Sequence, residues 1–236
     1  MAAAPTDAEI VERALGYPFP RPGRSVLLAG GRVRDLGELD PGELAARTPV
    51  LAYGSNASPA SLGWKFPDER EAVVPLLRGR IRDFDVVYSA HIAVYGSVPA
   101  TLQRSPGTEA ETFVAYLTRA QLELVAAWEI NADYGELAGV ELSLEGAAAP
   151  DVVGAFLSRH GCLTGPDGAE IAVAVVPARA RRLRAMPQPD VLELVRGRVA
   201  PDTSLDEFVL ANVRDYDVAR GHTAALRRHA LPFASG

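Results

Sequence analysis

The chain has 236 residues, of which 48% are hydrophobic and 23% charged, so it can bury a core and is neither disordered nor fibrous. Its formal net charge of −6 argues against nucleic acid or an anionic membrane surface as a partner. The single cysteine, Cys162, allows neither an internal disulfide nor a four-ligand zinc site. We expect a cytoplasmic protein, because residues 1–12 lack a targeting signal and no apolar run approaches the roughly 18 residues of a membrane span.

The first 45 residues predict a short helix followed by a surface arm. The helix is expected over residues 7–15. Residues 17–23 then alternate prolines with other residues. Because proline fixes φ and removes a hydrogen-bond donor, we expect this stretch to lie on the surface.

The middle of the chain predicts strands separated by turns. Residues 50–53 form a strand that turns through Gly54 into Ser58 and Pro59, a typical helix start. A turn is predicted at residues 105–107, and helical periodicity at residues 120–131. Residues rich in β-branched and aromatic side chains predict the other strands, at 81–88, 112–117, 140–144, 152–163 and 171–176. The segment 152–163 also suits a helix, and we favour the strand.

The C-terminal part predicts helices. A run of arginines follows Pro177, and helical spacing appears over residues 191–195 and 205–218. Thr203 and Ser204 each precede an acidic residue by three positions, which is the pattern of a capping box. The expected buried face of the last helix consists of Leu205, Phe208, Val209, Asn212, Val213 and Tyr216.

A first candidate site is the segment Tyr53-Gly54-Ser55-Asn56, between a predicted strand and a helix start. Glycine lets the backbone approach a ligand closely, and free amides before a helix attract an anion such as a carboxylate. The segment lacks the Gly-Lys-Ser/Thr ending of a nucleotide-binding loop and is not a Gly-x-Ser-x-Gly nucleophile turn. The alternative is a simple turn with Asn56 in left-handed geometry.

A second candidate is Glu129. A helical wheel over residues 120–131 places Glu129 on the same side as Leu122, Val125 and Ala126, so its carboxylate should face apolar surroundings. Desolvation favours the neutral, proton-donating form of a carboxylate and suits it to proton transfer near neutrality. The alternatives are a buried ion pair with an arginine, or a helix end from which the side chain reaches water.

Other residues carry weaker signals. His160 and Cys162 are two positions apart and could pair as base and thiol, although side chains with this spacing diverge on a helix. His222 and His229 could share a helical face, but two ligands do not make a metal site. Lys65 is the only lysine among 24 basic residues, a bias that indicates a GC-rich genome rather than chemistry.

Three stretches together resemble the γ-glutamylcyclotransferase-like family. Residues 50–56, Val-Leu-Ala-Tyr-Gly-Ser-Asn, are similar to the signature loop of that family. Residues 99–107, Pro-Ala-Thr-Leu-Gln-Arg-Ser-Pro-Gly, resemble its Ala-Thr-Leu stretch and the turn that follows. The spacing of Leu122, Val125 and Glu129 matches the helix that carries the catalytic glutamate of the family.

The resemblance covers about residues 48–178 and includes departures. Ile130 replaces the glycine that usually follows the glutamate, and residues 112 and 113 replace a glycine expected near the start of the later strand. Tyr134 lies five positions after Glu129, where the family often has a tyrosine six or seven positions after. Residues 1–45 and 181–236 have no counterpart in the family and could reshape or close the pocket.

The resemblance implies an α+β fold, a small β-barrel with packed helices, and a helical C-terminal extension. The expected organisation is an N-terminal extension at 1–45, a barrel domain at 46–180 and a helical extension packed on the barrel at 181–236. The implied reaction cyclises a small γ-glutamyl amide to 5-oxoproline and releases its amine, with no metal or organic cofactor. The implied general acid/base is Glu129. The implied substrate-binding residues are Tyr53, Gly54, Ser55, Asn56 and Tyr134.

Two other functions stay open at this point. A non-catalytic barrel that binds a small acid or a protein is favoured by Ile130 and by the helical C-terminal segment without a counterpart. Ser55 could instead act as a hydrolase nucleophile, but the sequence places no histidine near it.

Overall fold

The fold is built on one large, mostly antiparallel sheet with helices packed against it. The computed structural model describes residues 4–38, 41–66, 68 and 73–234. The strands are β1 Val26–Ala29, β2 Arg32–Asp35, β3 Thr48–Ala52, β4 Val74–Tyr88, β5 Ala100–Leu117, β6 Ala132–Ala138, β7 Leu142–Leu144, β8 Val152–Ser158, β9 Ala172–Val173, β10 Ala178–Arg179 and β11 Ala185–Met186. The helices are α1 Asp7–Leu15, α2 Pro41–Ala45, α3 Pro59–Gly63, α4 Arg119–Trp128, α5 Gln188–Val199, α6 Leu205–Arg214 and α7 Tyr216–Arg227. Two short 3-10 helices span Leu36–Glu38 and Ser55–Ala57.

The sheet is not the closed barrel that the resemblance implied. Its strand order is β11-β9-β4-β5-β3-β8-β6, and within the described part of the chain the two end strands do not pair with each other. The physical reason lies in the length of β4, whose edge away from β5 pairs in succession with β1, β7 and β9. The backbone groups along this edge of β4 are therefore paired with short strands, and they are not available to a further long strand that could close a barrel.

The predicted turn at residues 105–107 is a bulge inside a continuous strand. Arg104 and Glu109 both lie opposite Phe84, so the four residues between them protrude from the ladder. Gly107 there has a φ of +83°, and its N–H donates to Asp83 Oδ1 at 2.6 Å. The turn chemistry was recognised correctly, but the strand resumes in the same ladder after it.

Both faces of the sheet are covered. In β3, Val50 and Ala52 belong to one hydrophobic cluster, whereas Leu51 belongs to another. Because side chains alternate between the faces of a strand, the two clusters lie on opposite faces. One cluster includes residues of α3 and α4, and the other includes residues of α1, α5, α6 and α7.

The N-terminal segment is not the surface arm that its prolines predicted. Helix α1 has the predicted bounds and begins at a capping box between Thr6 and Glu9. Ala14 on its inner face is fully buried, and Tyr17 is only 4% exposed. Strand β1 pairs with β4. The segment therefore belongs to the main core, because its apolar residues outweigh the loss of donors at the prolines.

The predicted helix over residues 205–218 is two helices. Ser204 and Glu207 form the predicted capping box of α6, but α6 ends at Arg214. Asp215 then caps α7 by accepting hydrogen bonds from the N–H groups of Asp217 and Val218. Because of this break, Tyr216 is 72% exposed rather than buried with the rest of the predicted face. No helix in the described ranges is long and apolar enough to cross a membrane.

Candidate functional site

A cavity of about 470 Å³ opens beside the end of strand β3. Its walls come from the Gly54 turn, the end of helix α4, the loop between β4 and β5, and the N-terminal segment. The wall is rich in aromatic side chains, which are Tyr17, Tyr53, Trp64, Tyr95, Trp128 and Phe156. The cavity has the size and the mainly apolar wall that are typical of a small-molecule site.

Glu129 and the Gly54 turn line this same cavity. Helix α4 ends at Trp128, earlier than the predicted end at residue 131, so Glu129 is the residue that follows the helix. Its backbone has φ −86° and ψ 46°, and its side chain is 23% exposed. The helical wheel selected a partly buried carboxylate, but that carboxylate is carried by the helix cap and not by the helix.

One oxygen of the Glu129 carboxylate is held by two donors. Lys65 Nζ lies 2.6 Å from Oε1, and Asn56 Nδ2 donates to the same atom at 2.9 Å. The other oxygen, Oε2, accepts no hydrogen bond from the described residues. The carboxylate is therefore fixed in position while one of its oxygens stays available to a ligand.

Lys65 is the site residue that sequence reasoning missed. The ion pair expected as an alternative was assigned to one of the arginines, whereas the partner is the only lysine. The side chain of Lys65 is 11% exposed and lies just beyond helix α3. Two features of the sequence could have indicated Lys65. It is the only lysine in an arginine-rich chain, and it follows the Gly-Ser-Asn turn closely.

The Gly54 turn has the strand-turn-helix form that was predicted. Ser55, Asn56 and Ala57 form a 3-10 helix, and Pro59 begins α3. Asn56 is not in left-handed geometry, since the positive-φ residues do not include it. In the described structure no acceptor takes up the backbone N–H of Gly54 or Ser55. These donors are available at the cavity wall.

Three tyrosines on the cavity wall interact with the charge of Glu129, and these are the buried Tyr17 and Tyr53 and the partly buried Tyr95. Burial raises the pKa of Tyr53 and of Tyr95 well above the usual value, and the charge of Glu129 raises each further. Burial likewise raises the pKa of Tyr17, with smaller contributions from Tyr95 and Glu129. The Tyr53 hydroxyl donates to the carbonyl of Phe156. All three phenols are therefore neutral at physiological pH.

A second polar wall faces the cavity from the segment after β4 and from β8. Ser89 Oγ lies 2.6 Å from both His91 Nδ1 and Ser158 Oγ, and the last two residues line the cavity. Burial lowers the pKa of His91 to about 3, with a further contribution from His160, so His91 is neutral. In the described ranges, no three His, Cys, Asp or Glu side chains are grouped so as to hold a metal ion.

Tyr134 does not line the cavity, although the resemblance placed it there as a substrate contact. It lies opposite Phe156 in the ladder between β6 and β8, and the two rings meet edge to face with centroids 5.3 Å apart. Its hydroxyl also lies over Gly154. Phe156 reaches the cavity, so Tyr134 is one layer behind the wall.

Comparison with solved structures finds a structural similarity. A solved structure described as a gamma-glutamyl cyclotransferase is similar to this chain, with 18% sequence identity and a TM-score of 0.38. The alignment covers 48% of this chain and 66% of that one, which is just under two thirds of its length. No protein-family model and no curated protein matches the chain. Function is therefore inferred from the cavity itself.

Proposed function

We propose that this protein cyclises a γ-glutamyl amide to 5-oxoproline and releases the amine. The observation that carries the proposal is that Glu129 and the Gly54 turn line one cavity, with Oε1 of the carboxylate held and Oε2 free. A proton acceptor and free backbone donors can therefore reach the same small molecule. The resemblance of residues 50–56 and of Glu129 to the γ-glutamylcyclotransferase-like family supports the same reaction.

The reaction needs positioning and proton transfer. The α-amine of the substrate attacks its own γ-carbonyl carbon, which forms the ring C–N bond and a tetrahedral intermediate. Collapse of this intermediate breaks the bond to the leaving amine. Because the attack is intramolecular, the main task of the cavity is to hold the glutamyl chain in a folded pose.

Glu129 would move the proton. Oε2 takes a proton from the α-ammonium, and the neutral amine that results attacks. The protonated carboxyl group then gives this proton to the leaving nitrogen. The ring nitrogen loses one further proton after the attack, which passes through Oε2 to the released amine or to solvent, so the carboxylate is regenerated. General acid-base catalysis of this type is worth about 10²- to 10⁴-fold. Lys65 and Asn56 act through Oε1 and are positioning residues.

The backbone donors of the turn would bind negative charge. The N–H groups of Gly54 and Ser55 are available for the α-carboxylate or for the oxyanion of the intermediate. The neutral phenols of Tyr17, Tyr53 and Tyr95 line the same cavity and would limit the access of water to a bound substrate. Exclusion of water strengthens each electrostatic contact to the substrate.

The test is the release of 5-oxoproline, followed by mass spectrometry on a mixed γ-glutamyl library. Glu129→Gln keeps the shape of the side chain and removes its basicity, so we expect a loss of about 10²-fold or more in turnover with an unchanged fold. Glu123→Gln is the matched control, because Glu123 lies on the exposed side of the same helix, paired with Arg119. Undiminished turnover by Glu129→Gln would eliminate the proposal.

A second candidate function is binding of a small acid without turnover. The Lys65–Glu129 ion pair favours it, because a carboxylate already paired with a cation is a common structural element. The same library separates the two functions. Thermal stabilisation of the wild-type protein by γ-glutamyl amides, without any 5-oxoproline, would select the binding function.

A further inference from the structure

The mouth of the cavity contains an arginine that has no carboxylate partner among the described residues. Arg13 comes from helix α1, and its guanidinium carbon lies 4.2 Å from the ring centroid of Trp64. It also approaches the ring of Tyr95, at 5.7 Å. None of the described residues forms a salt bridge with Arg13 or accepts a hydrogen bond from it. Stacking uses the flat face of a guanidinium and leaves the N–H groups at its edge free for an anion.

Among the described residues, the charges on the cavity wall do not balance without a ligand. The charged side chains that these residues contribute are Arg13, Lys65 and Glu129, and the last two form an ion pair. His91 and the three tyrosines of the wall are neutral. A γ-glutamyl group carries one ammonium and one carboxylate and is itself neutral overall. The positive charge of Arg13 is therefore left over for another part of the ligand.

Exposed apolar side chains line the same cavity as this arginine. Four residues on the cavity wall are large, hydrophobic and more than half exposed, and these are Trp64 at 65%, Val94 at 61%, Trp128 at 60% and Ile130 at 56%. A cluster of exposed apolar side chains around a cavity marks a surface that a ligand covers. The two tryptophans offer flat faces that suit an aromatic ring.

We infer that this mouth is the subsite for the leaving amine, and that it takes an amine with a flat apolar body and an anionic group bound by Arg13. The inference rests on the proposed cyclisation. The glutamyl part occupies the inner space between Glu129 and the Gly54 turn, so the amide that breaks lies toward the mouth. Arg13 then sets specificity and is not a catalytic residue.

The position of Arg13 in the chain explains how this subsite could differ between related enzymes. Helix α1 lies in the first 45 residues, which are outside the stretch that resembles the γ-glutamylcyclotransferase-like family. The inner wall comes from the resembling stretch and the mouth partly from α1. Recognition of the amine can therefore change without any change at Glu129.

The test uses two substrates that differ only in charge, γ-glutamyl-4-aminobenzoate and γ-glutamyl-4-aminobenzamide. We expect the wild-type enzyme to prefer the benzoate in kcat/KM, and Arg13→Gln to reduce that preference by about 10- to 100-fold, the worth of a charge-assisted hydrogen bond. Arg13→Lys keeps the charge without the planar fork and should retain part of the preference. Arg220→Gln, which removes an exposed ion pair within helix α7, should keep it all.

Three outcomes would contradict parts of the scheme in different ways. The leaving-group subsite is overturned if the wild type has equal kcat/KM values for both substrates, or if Arg13→Gln lowers kcat/KM equally for both. Formation of 5-oxoproline would still support the cyclisation in that case. If the wild type binds the benzoate more tightly than the benzamide but forms no 5-oxoproline, and Arg13→Gln abolishes this binding preference, the cyclisation is overturned and the anion subsite is retained. A third outcome would overturn both the cyclisation and the subsite. In it, the wild type forms no 5-oxoproline, and the Glu129→Gln variant binds the benzoate and the benzamide equally in calorimetry.

Discussion

The hydroxyl oxygen of Tyr17 lies 2.6 Å from the place that a Cβ atom on Gly54 would occupy. The same hydroxyl accepts a hydrogen bond from the N–H of Ala100 at 2.7 Å. Gly54 has a φ of −103°, so a positive φ does not explain the glycine, whereas the close approach of Tyr17 leaves no room for a Cβ atom. The N-terminal segment and the site turn are thus packed directly against each other.

Gly54→Ala should destabilise the protein by about 1–3 kcal/mol, because the added methyl group overpacks the contact with Tyr17. Tyr17→Phe removes the oxygen, and in that background the same glycine substitution should cost less, even though Ala100 loses its acceptor. Urea unfolding of the four proteins measures the coupling. Gly197→Ala is the control, since Gly197 lies in helix α5 with open space around it and should gain about 0.5–1 kcal/mol. Additive costs at positions 17 and 54 would contradict the packing argument.

Lys65→Met should lower kcat by about 10- to 100-fold with little change in KM, because Glu129 Oε1 would be held by Asn56 alone and the carboxylate would lose its orientation. Lys65→Arg should recover part of kcat by restoring a cation at that position. Arg119→Met, which breaks an exposed ion pair on α4, serves as the control. If Lys65→Met changed KM alone, Lys65 would be a substrate contact and not a positioning residue.

Acid should weaken the fold through His91. Its pKa is lowered to about 3 by burial and by His160, so the unfolded chain binds a proton that the folded chain excludes. The stability is complete above about pH 6.5 and falls by about 1.4 kcal/mol per pH unit as the pH decreases toward 3. In urea unfolding, His91→Gln should therefore lose less stability than the wild type between about pH 7.5 and about pH 5.5. The exposed His229→Gln control should lose as much as the wild type.

Cys162 should be inert in the folded protein. Burial, with the charge of Glu170, raises the pKa of this thiol to about 12, and the side chain is fully buried. Because the thiolate is the reactive form, a thiol-specific reagent near pH 8 should label the native protein far more slowly than the urea-unfolded protein. Equal labelling rates would show that the region around Cys162 opens readily.

Local sequence signals predicted those elements correctly whose structure depends mainly on neighbouring residues. The helix at 7–15 is confirmed at both ends, and the capping box at Ser204 and Glu207 is confirmed as the start of α6. The end of α6 was wrong because Asp215 favours a new cap over a continued helix. The apolar residues keep their helical spacing through Asp215, so this spacing could not indicate that the helix breaks there.

Contacts between distant segments were the part that the sequence could not supply. The wheel identified Glu129, but its partner Lys65 is 64 positions away. Tyr17 binds Ala100 across 83 positions, and nothing in the proline-rich stretch indicated a buried residue. The position of Tyr134 behind Phe156, outside the cavity lining, was likewise not predictable, since a spacing along the chain does not say which layer of the wall a side chain enters.

Helix α1, which carries Arg13, is held in place by a helix from a distant part of the chain. Asp7 pairs with Arg214 of α6, and Gly96 fits between Ala14 of α1 and Val209 of α6. During synthesis α1 leaves the ribosome long before α6 exists, so it cannot make these contacts until α6 has been made. The mouth of the cavity at Arg13 is therefore completed only after α6 has left the ribosome.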